Sequence, residues 1–359
     1  MRIYGREFTR IEIEKLVGNL NQIGGTKHFE YNSGRAKGVS AIDVNTGAGL
    51  EFTVILDRGF DIESCYYKGI NLVYKTPNGI TNPGFYDPYG LGWLHTFFGG
   101  LLTTCGLTYF GPPGRDGEEE LGLHGRYSTI PAEKICDLSR WEGDEYIIEL
   151  KGTVEECVLF GDKLKLTRTL KTTLGSRKFT INDTIENYGF KESPLTVLYH
   201  MNMGFPLLDK GAELCISSGK VEPYTEWAKK GLEEHKIFSE PISGFQEQNY
   251  LHTMKGDKTG CGYAAMINKN LMGGLGLYLK FRLDSLPYLS EWKMMGEKDY
   301  VVGLEPCNTK IENRADLRKN RRLPKIKPGE TIETEIEVGI LEGEEEINNF
   351  QKMVSDITG

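Results

Sequence analysis

Residues 331–340 read TIETEIEVGI. Ile332, Ile336, Val338 and Ile340 fall on one parity, and Glu333, Glu335 and Glu337 on the other. An extended chain with this period buries one face and wets the other. The stretch KLKLTRTL at 163–170 repeats the pattern, with Leu164, Leu166 and Leu170 set against Lys163, Lys165 and Thr167. Phe179, Ile181 and Ile185 repeat it again. One-sided strands of this kind belong to antiparallel sheets. Further strands are expected over 50–56, 61–67, 126–136, 146–153, 195–201, 275–283 and 300–305. Gly, Asn and Asp turns separate them, and glycine is abundant at 44 of 359 residues. The fold class is therefore all-β, a large antiparallel sandwich with a few short helices.

Helical pattern is confined to 10–20, with Thr9 as N-cap, and to 344–354. No βαβ alternation, Walker A sequence or strand–GxGxxG–helix unit occurs, which argues against a nucleotide-binding sheet. Residues 78–114 are rich in glycine and aromatics without a clear period, the mark of a functional loop or of a misread element. At about 150 residues per domain the length suggests two domains, but β-sandwiches run to about 250 residues as one. No linker or repeat divides the chain. One domain over 1–359 is expected, with 1–35 as a lead-in and 344–359 as a closing helix.

The net charge of −8 and the lack of a long basic stripe argue against nucleic acid. The one basic run, RKNRRLPKIK at 318–327, reads as a solvated loop. No apolar run of membrane-spanning length is present, so no membrane is expected as a partner. MRIYGREFTR lacks the apolar core of a signal peptide, which points to the cytoplasm. Seven cysteines with no CxxC pair read as buried reduced thiols, neither a disulfide framework nor a zinc ribbon.

Three polar residues stand out. His124 lies in LGLHGR, between glycines that let the backbone approach a ligand. His200 comes late in the apolar stretch LTVLYHMNMGFPLL, where a buried imidazole needs a partner. Glu305 ends the apolar run before Pro306, and desolvation there would raise its pKa toward that of a useful base. Each alone reads first as a structural residue. Two histidines and a glutamate suit a metal, but no HxH or HxxxH spacing supports one, and none is expected.

These segments, in this order, resemble the aldose 1-epimerase (galactose mutarotase-like) superfamily. The nearer resemblance is to a bacterial branch of aldose 1-epimerase-like proteins, a domain-of-unknown-function family. It is carried by LDRGFDI near 56, FGGLLTTCGL near 98, LHGR, YHMNMGFPLL and LPYLSEWK…VVGLEP, across about 35–345. The resemblance implies a β-supersandwich and an isomerase that interconverts anomers of a carbohydrate. Glu305 would be the base on the anomeric hydroxyl and His200 the acid at the ring oxygen, with His124 holding the ring-oxygen side. Opening the ring needs one proton removed at O1 and one delivered to O5, so one acid and one base suffice without cofactor or metal.

Arg58, Arg126, Asn202, Trp292 and Thr104 are candidate sugar contacts. Arg58 is equally placed to fix a loop through Asp57 or Asp61, Trp292 to pack in the core and Asn202 to cap a strand end. The galactose mutarotases carry an asparagine–arginine pair where this chain reads GGLLTTCGL, with Thr104 available instead. Their substrate-contacting aspartate has only Glu247 or Gln248 as loose counterparts. Both departures leave the sugar open, as the sequence leaves a homodimer open. Two other functions fit the same residues: a sugar-binding module without catalysis, and an isomerase or lyase acting on the opened aldehyde.

Overall fold

The strand expected from TIETEIEVGI is Thr331–Glu342 in the structure, a computed structural model that describes residues 1–359. It sits inside a nine-stranded antiparallel sheet, between Lys178–Asn187 and Leu275–Arg282. Ile336, Val338 and Ile340 are buried as their parity requires. Two more sheets face this one across the core. A five-stranded meander runs from Gly25–Glu30 to Ile70–Asn71. A six-stranded sheet is ordered Ser218–Pro223, Gln248–Met254, Tyr288–Met295, Tyr300–Cys307, Thr196–Gly204, Thr103–Leu107. Single bridges at Ile62–Leu102, Val73–Met203 and Lys75–Gly99 join these two into one curved surface. A continuous apolar core of 56 residues draws on all three sheets.

The helices are peripheral. Arg10–Leu16 is shorter than the expected 10–20, and Thr9 closes a capping box with Glu12. Gly343–Thr358 lays Ile347, Phe350 and Val354 on the outer face of the large sheet, against Tyr263, Ala265 and Leu341. No helix is long and apolar enough to cross a membrane. The expected strand over 126–136 is partly wrong. Residues Tyr127–Thr129 form a buried 3₁₀ turn and only Glu133–Asp137 is extended. Thr129 Oγ1 donates to the Arg126 carbonyl at 2.6 Å, a local bond that competes with a ladder.

Arg168 is in phase with Leu166 and Leu170, so its guanidinium points into the core, fully buried. It pairs with Asp183 directly opposite on the next strand (Nη2–Oδ2 2.7 Å) and with Asp61 of the meander (Nη1–Oδ1 2.8 Å). Thr104 of the six-stranded sheet accepts from Arg168 Nη2 at 2.9 Å and donates to Asp61 Oδ1 at 2.6 Å. Tyr199, from the same sheet, donates to Asp183 Oδ2 at 2.8 Å. One cation thus fastens all three sheets. Removing one partner of such a cluster strands the others without compensation. Arg168→Ala should therefore lose about 3–5 kcal/mol in urea unfolding. Arg168→Lys, which keeps the charge without the fork, should lose less. A loss within the scatter of surface substitutions would show that the buried carboxylates do not depend on it.

Candidate active site

The six-stranded sheet brings the sequence-selected residues together. Ser290 and Glu305 are direct cross-strand partners, and Met201 pairs with Leu304, which sets His200 beside Glu305 on the other side. Alternation turns Met201 and Leu304 into the core and presents His200, Glu305 and Trp292 on the opposite face. His200 Nε2 lies 3.2 Å from Glu305 Oε1. The pair is not aligned as a hydrogen bond, and both His200 Nδ1 and Glu305 Oε1 are buried without a partner. Gly303 makes room for the carboxylate, because a Cβ there would meet Glu305 Oε1 at 2.4 Å.

His124 arrives on a loop. Its φ of 58° is in the left-handed region that side chains rarely adopt, and Gly125 follows at 72°. A Cβ on Gly125 would meet the Tyr109 carbonyl oxygen at 2.2 Å, so glycine is required. His124 N–H donates to the Gly111 carbonyl at 2.9 Å, and its own carbonyl accepts from Gly106 N–H at 3.2 Å. The imidazole stands edge-on to His200, ring centres 5.7 Å apart. Such strain persists where surrounding structure enforces it, commonly at functional sites.

Aromatic rings complete the wall. His200 has Phe97 at 5.2 Å and Trp292 at 5.4 Å, while Trp93 stacks on Phe97 and packs at 4.9 Å from His124. Trp292 Nε1 donates to Glu247 Oε2 at 2.9 Å, which fixes the indole. Together with Leu91, Leu94, Pro112, Tyr224 and Asn249 they line a cavity of about 500 Å³. Its only carboxylates are Glu247 and Glu305, and neither lysine nor arginine lines it.

Burial sets the protonation. It pushes Glu305 up to about 8, helped by the nearby Glu247 carboxylate. It pushes His124 down to about 4, and His200 well below its ordinary value, with His124 adding to the latter shift. In the unliganded site near neutrality, one proton is therefore held on Glu305 and His200 is neutral.

A family model described as a domain of unknown function, DUF4432, matches residues 36–340. The chain belongs to that family. No functionally curated relative matches the DUF4432 chain by sequence. Among solved structures it resembles a provisionally named aldose 1-epimerase of Klebsiella pneumoniae, with a TM-score of 0.89 at 23% identity, covering 95% of this chain and 91% of that one. A galactose mutarotase-like protein of Clostridium acetobutylicum gives 0.64 at 16% identity, over 90% and 100% of the two chains. Galactose 1-epimerase of Lactobacillus acidophilus gives 0.57 at 13% identity, over 89% and 100%. At these identities the likeness is one of fold, and the DUF4432 chain has the galactose mutarotase-like sandwich.

Several expected sugar contacts in the DUF4432 chain lie elsewhere. Arg58 is buried and spends its donors on the carbonyls of Ser128, Thr81 and Thr96 and on Thr81 Oγ1, a structural role outside the cavity. Arg126 donates to the Cys157 carbonyl at 3.0 Å, away from the cavity lining. Asn202 donates to the carbonyls of Gly100 and His200 inside the sheet, and Thr104 belongs to the Arg168 cluster. Gln248 donates to the Trp227 carbonyl, whereas Glu247 does line the cavity. The cavity thus gathers His124, His200, Glu305, Trp292 and Glu247. Patterning did not single out Trp93, Phe97 or Asn249, although the density of aromatics over 78–114 was the signal for the first two.

The raised Glu305 has a measurable sign. Between its ordinary 4.5 and about 8 the folded chain keeps a proton that the unfolded chain has released. The stability this contributes is present in full below the lower value and is lost as pH rises through the upper one. Glu305→Gln is neutral throughout, so its stability relative to wild type should improve as pH climbs from about 5 to about 8. Urea unfolding of both proteins across that range checks it, and parallel pH curves would sink the assignment.

Proposed function

We propose that this protein interconverts the anomers of a neutral aldose or deoxy-aldose by acid–base ring opening, with His200 and Glu305 as the proton-transfer pair. The observation that carries this is their placement: two titratable groups 3.2 Å apart, buried on the floor of a cavity, each with an atom left unpartnered. Mutarotation needs such a pair. One member takes the proton from O1, the other gives one to O5, and after rotation about C1–C2 the transfers reverse.

The site holds a single proton. In the direction the resemblance implies, Glu305 acts as base and His200 as acid, which uses the form with the proton on His200. Burial favours the other form, with the proton on Glu305. A bound sugar offsets this, since an anomeric hydroxyl donating to the carboxylate and a ring oxygen accepting from the imidazolium both favour the charged pair. His124, on its constrained loop, is suited to orient the ring-oxygen side. Trp292, Trp93 and Phe97 offer apolar faces to sugar C–H groups. Glu247, with no lysine or arginine in the lining to offset it, would repel an anionic sugar, and the apolar walls Leu91, Leu94 and Pro112 suit a substrate with few hydroxyls on that side. The seven unpaired thiols are in keeping with a reducing, cytoplasmic setting.

The aromatic lining would also serve a binding module, and the proton-transfer pair separates the two readings. Glu305→Gln and His200→Asn should each slow enzyme-catalysed anomer exchange by about 10²–10⁴ while sugar affinity changes little. The double variant should lose less than the product of the two losses. Exchange NMR across hexoses, pentoses, deoxy sugars and uronic acids measures rate and preference together. Uronic acids should be the poorest of the set. Wild-type exchange rates in Glu305→Gln would overturn the mechanism and favour binding alone.

A further inference from the structure

On the other face of the sheet that carries the candidate active site, three side chains from separate segments meet. Glu291 lies between Ser290 and Trp292 in sequence, and the alternation of the strand turns it away from the cavity. His252 comes from the neighbouring strand Gln248–Met254, and His235 from a turn that follows Leu232–Glu234. Both imidazoles converge on one carboxylate oxygen. His235 Nδ1 is 2.8 Å and His252 Nε2 is 3.1 Å from Glu291 Oε2, and all three side chains are buried. The second oxygen, Glu291 Oε1, is buried with no partner.

His252 Nδ1 is engaged by Ser218 Oγ at 2.9 Å, so Nε2 is the nitrogen turned toward the carboxylate. One donor atom from each of His235, His252 and Glu291 therefore meets the others inside the protein, all within 4.8 Å of one another. Buried polar atoms ordinarily find a partner, and a buried carboxylate oxygen without one, beside two imidazole nitrogens, calls for a further group at this point.

We propose that His235, His252 and Glu291 form an internal site for a divalent transition-metal ion of the zinc class. Imidazole nitrogen and carboxylate oxygen are the donors this class prefers. In a tetrahedral zinc site neighbouring donors are about 3.3 Å apart, so the present 2.8 and 3.1 Å separations need only a small expansion. Glu291 Oε1 is free to complete the coordination, and Ser218 on His252 Nδ1 is the outer partner that fixes a ligand's tautomer. Lys293, two residues beyond Glu291, is a buried cation on the same face of the strand. Its ammonium is bonded to the carbonyls of Glu234 and Ile237, at 2.8 Å each, which anchors the turn bearing His235. The residues flanking His235 are exposed, so opening that turn gives an ion its way in. No local spacing announces the site, because its ligands are 17 and 39 residues apart and only the fold brings them together.

The test uses the full chain, stripped with a chelator and then dialysed against zinc or cobalt(II). Wild type should retain about one equivalent of either metal, with the visible absorption of tetrahedral cobalt bleached by zinc, and its thermal midpoint should rise on loading. His235→Asn removes a ligand on a surface turn, where folding is least at risk, and should weaken retention at least about tenfold. Ser218→Ala keeps every ligand but loses the tautomer partner, and should weaken it by about 10–100-fold. Wild type that retains no more metal than His235→Asn, with no tetrahedral cobalt spectrum, would overturn the site. Neither readout involves sugar, so the outcome is independent of the proposed isomerase activity.

Discussion

The structure depends on a buried cation shared by three sheets. Arg168 holds Asp183 beside it and Asp61 across the core, while Thr104 and Tyr199 bring in the sheet that carries the candidate site. Tyr199 precedes His200, so alternation sends one side chain to the ionic cluster and the next to the cavity. The position of the His200–Glu305 pair is therefore set from beneath by electrostatics as well as by packing. Burial pushes Asp61 up to about 6 against the pull of Arg168 and Thr104, a measure of how fully water is excluded at this point. A cluster so dry tolerates neither a missing partner nor a displaced one.

The same sheet is chemically two-faced. One parity along Tyr288–Met295 turns Ser290 and Trp292 to the cavity side, where Trp292 lines it, and the other gives Leu289, Glu291, Lys293 and Met295 to the interior. The two faces solve different problems with similar side chains. In the cavity a histidine and a carboxylate are left unaligned, each with a buried atom that has no partner. Beneath it a carboxylate and two histidines converge on a single point.

Much of the fold was legible because antiparallel strands with one wet face write their geometry into sequence parity. Leu164, Leu166 and Leu170, or Ile336, Val338 and Ile340, need no tertiary information. Arg168 was harder, since a charge at a core parity reads as an interruption. Asp183 occupies the same parity on the paired strand, directly opposite, and that match of opposite charges was the available signal. His124, His200, Glu305 and Trp292 share the cavity as their motifs suggested. Arg58 and Arg126 do not, because residue type shows what a side chain can bond but not which way it points. In Arg58 the competing partners were main-chain carbonyls of residues 81, 96 and 128, invisible to any reading of side chains. The 3₁₀ turn at Tyr127–Thr129 was missed because a local hydroxyl-to-carbonyl bond overrode strand-like composition.

Floor and wall of the cavity have different origins. Glu305, His200 and Trp292 are rungs of a hydrogen-bonded ladder, whereas Leu91 and Leu94 come from the irregular segment between Ile70–Asn71 and Thr103–Leu107, and Pro112 from the loop after that strand. A change in the ladder propagates into the core, but a change in an exposed loop side chain such as Leu91 or Leu94 alters only what it touches. Selection can therefore reshape the mouth of the cavity through these loops while leaving the His200–Glu305 pair in place. On the proposed function, sequence drift concentrated there would report a shift in diet between organisms rather than a loss of activity.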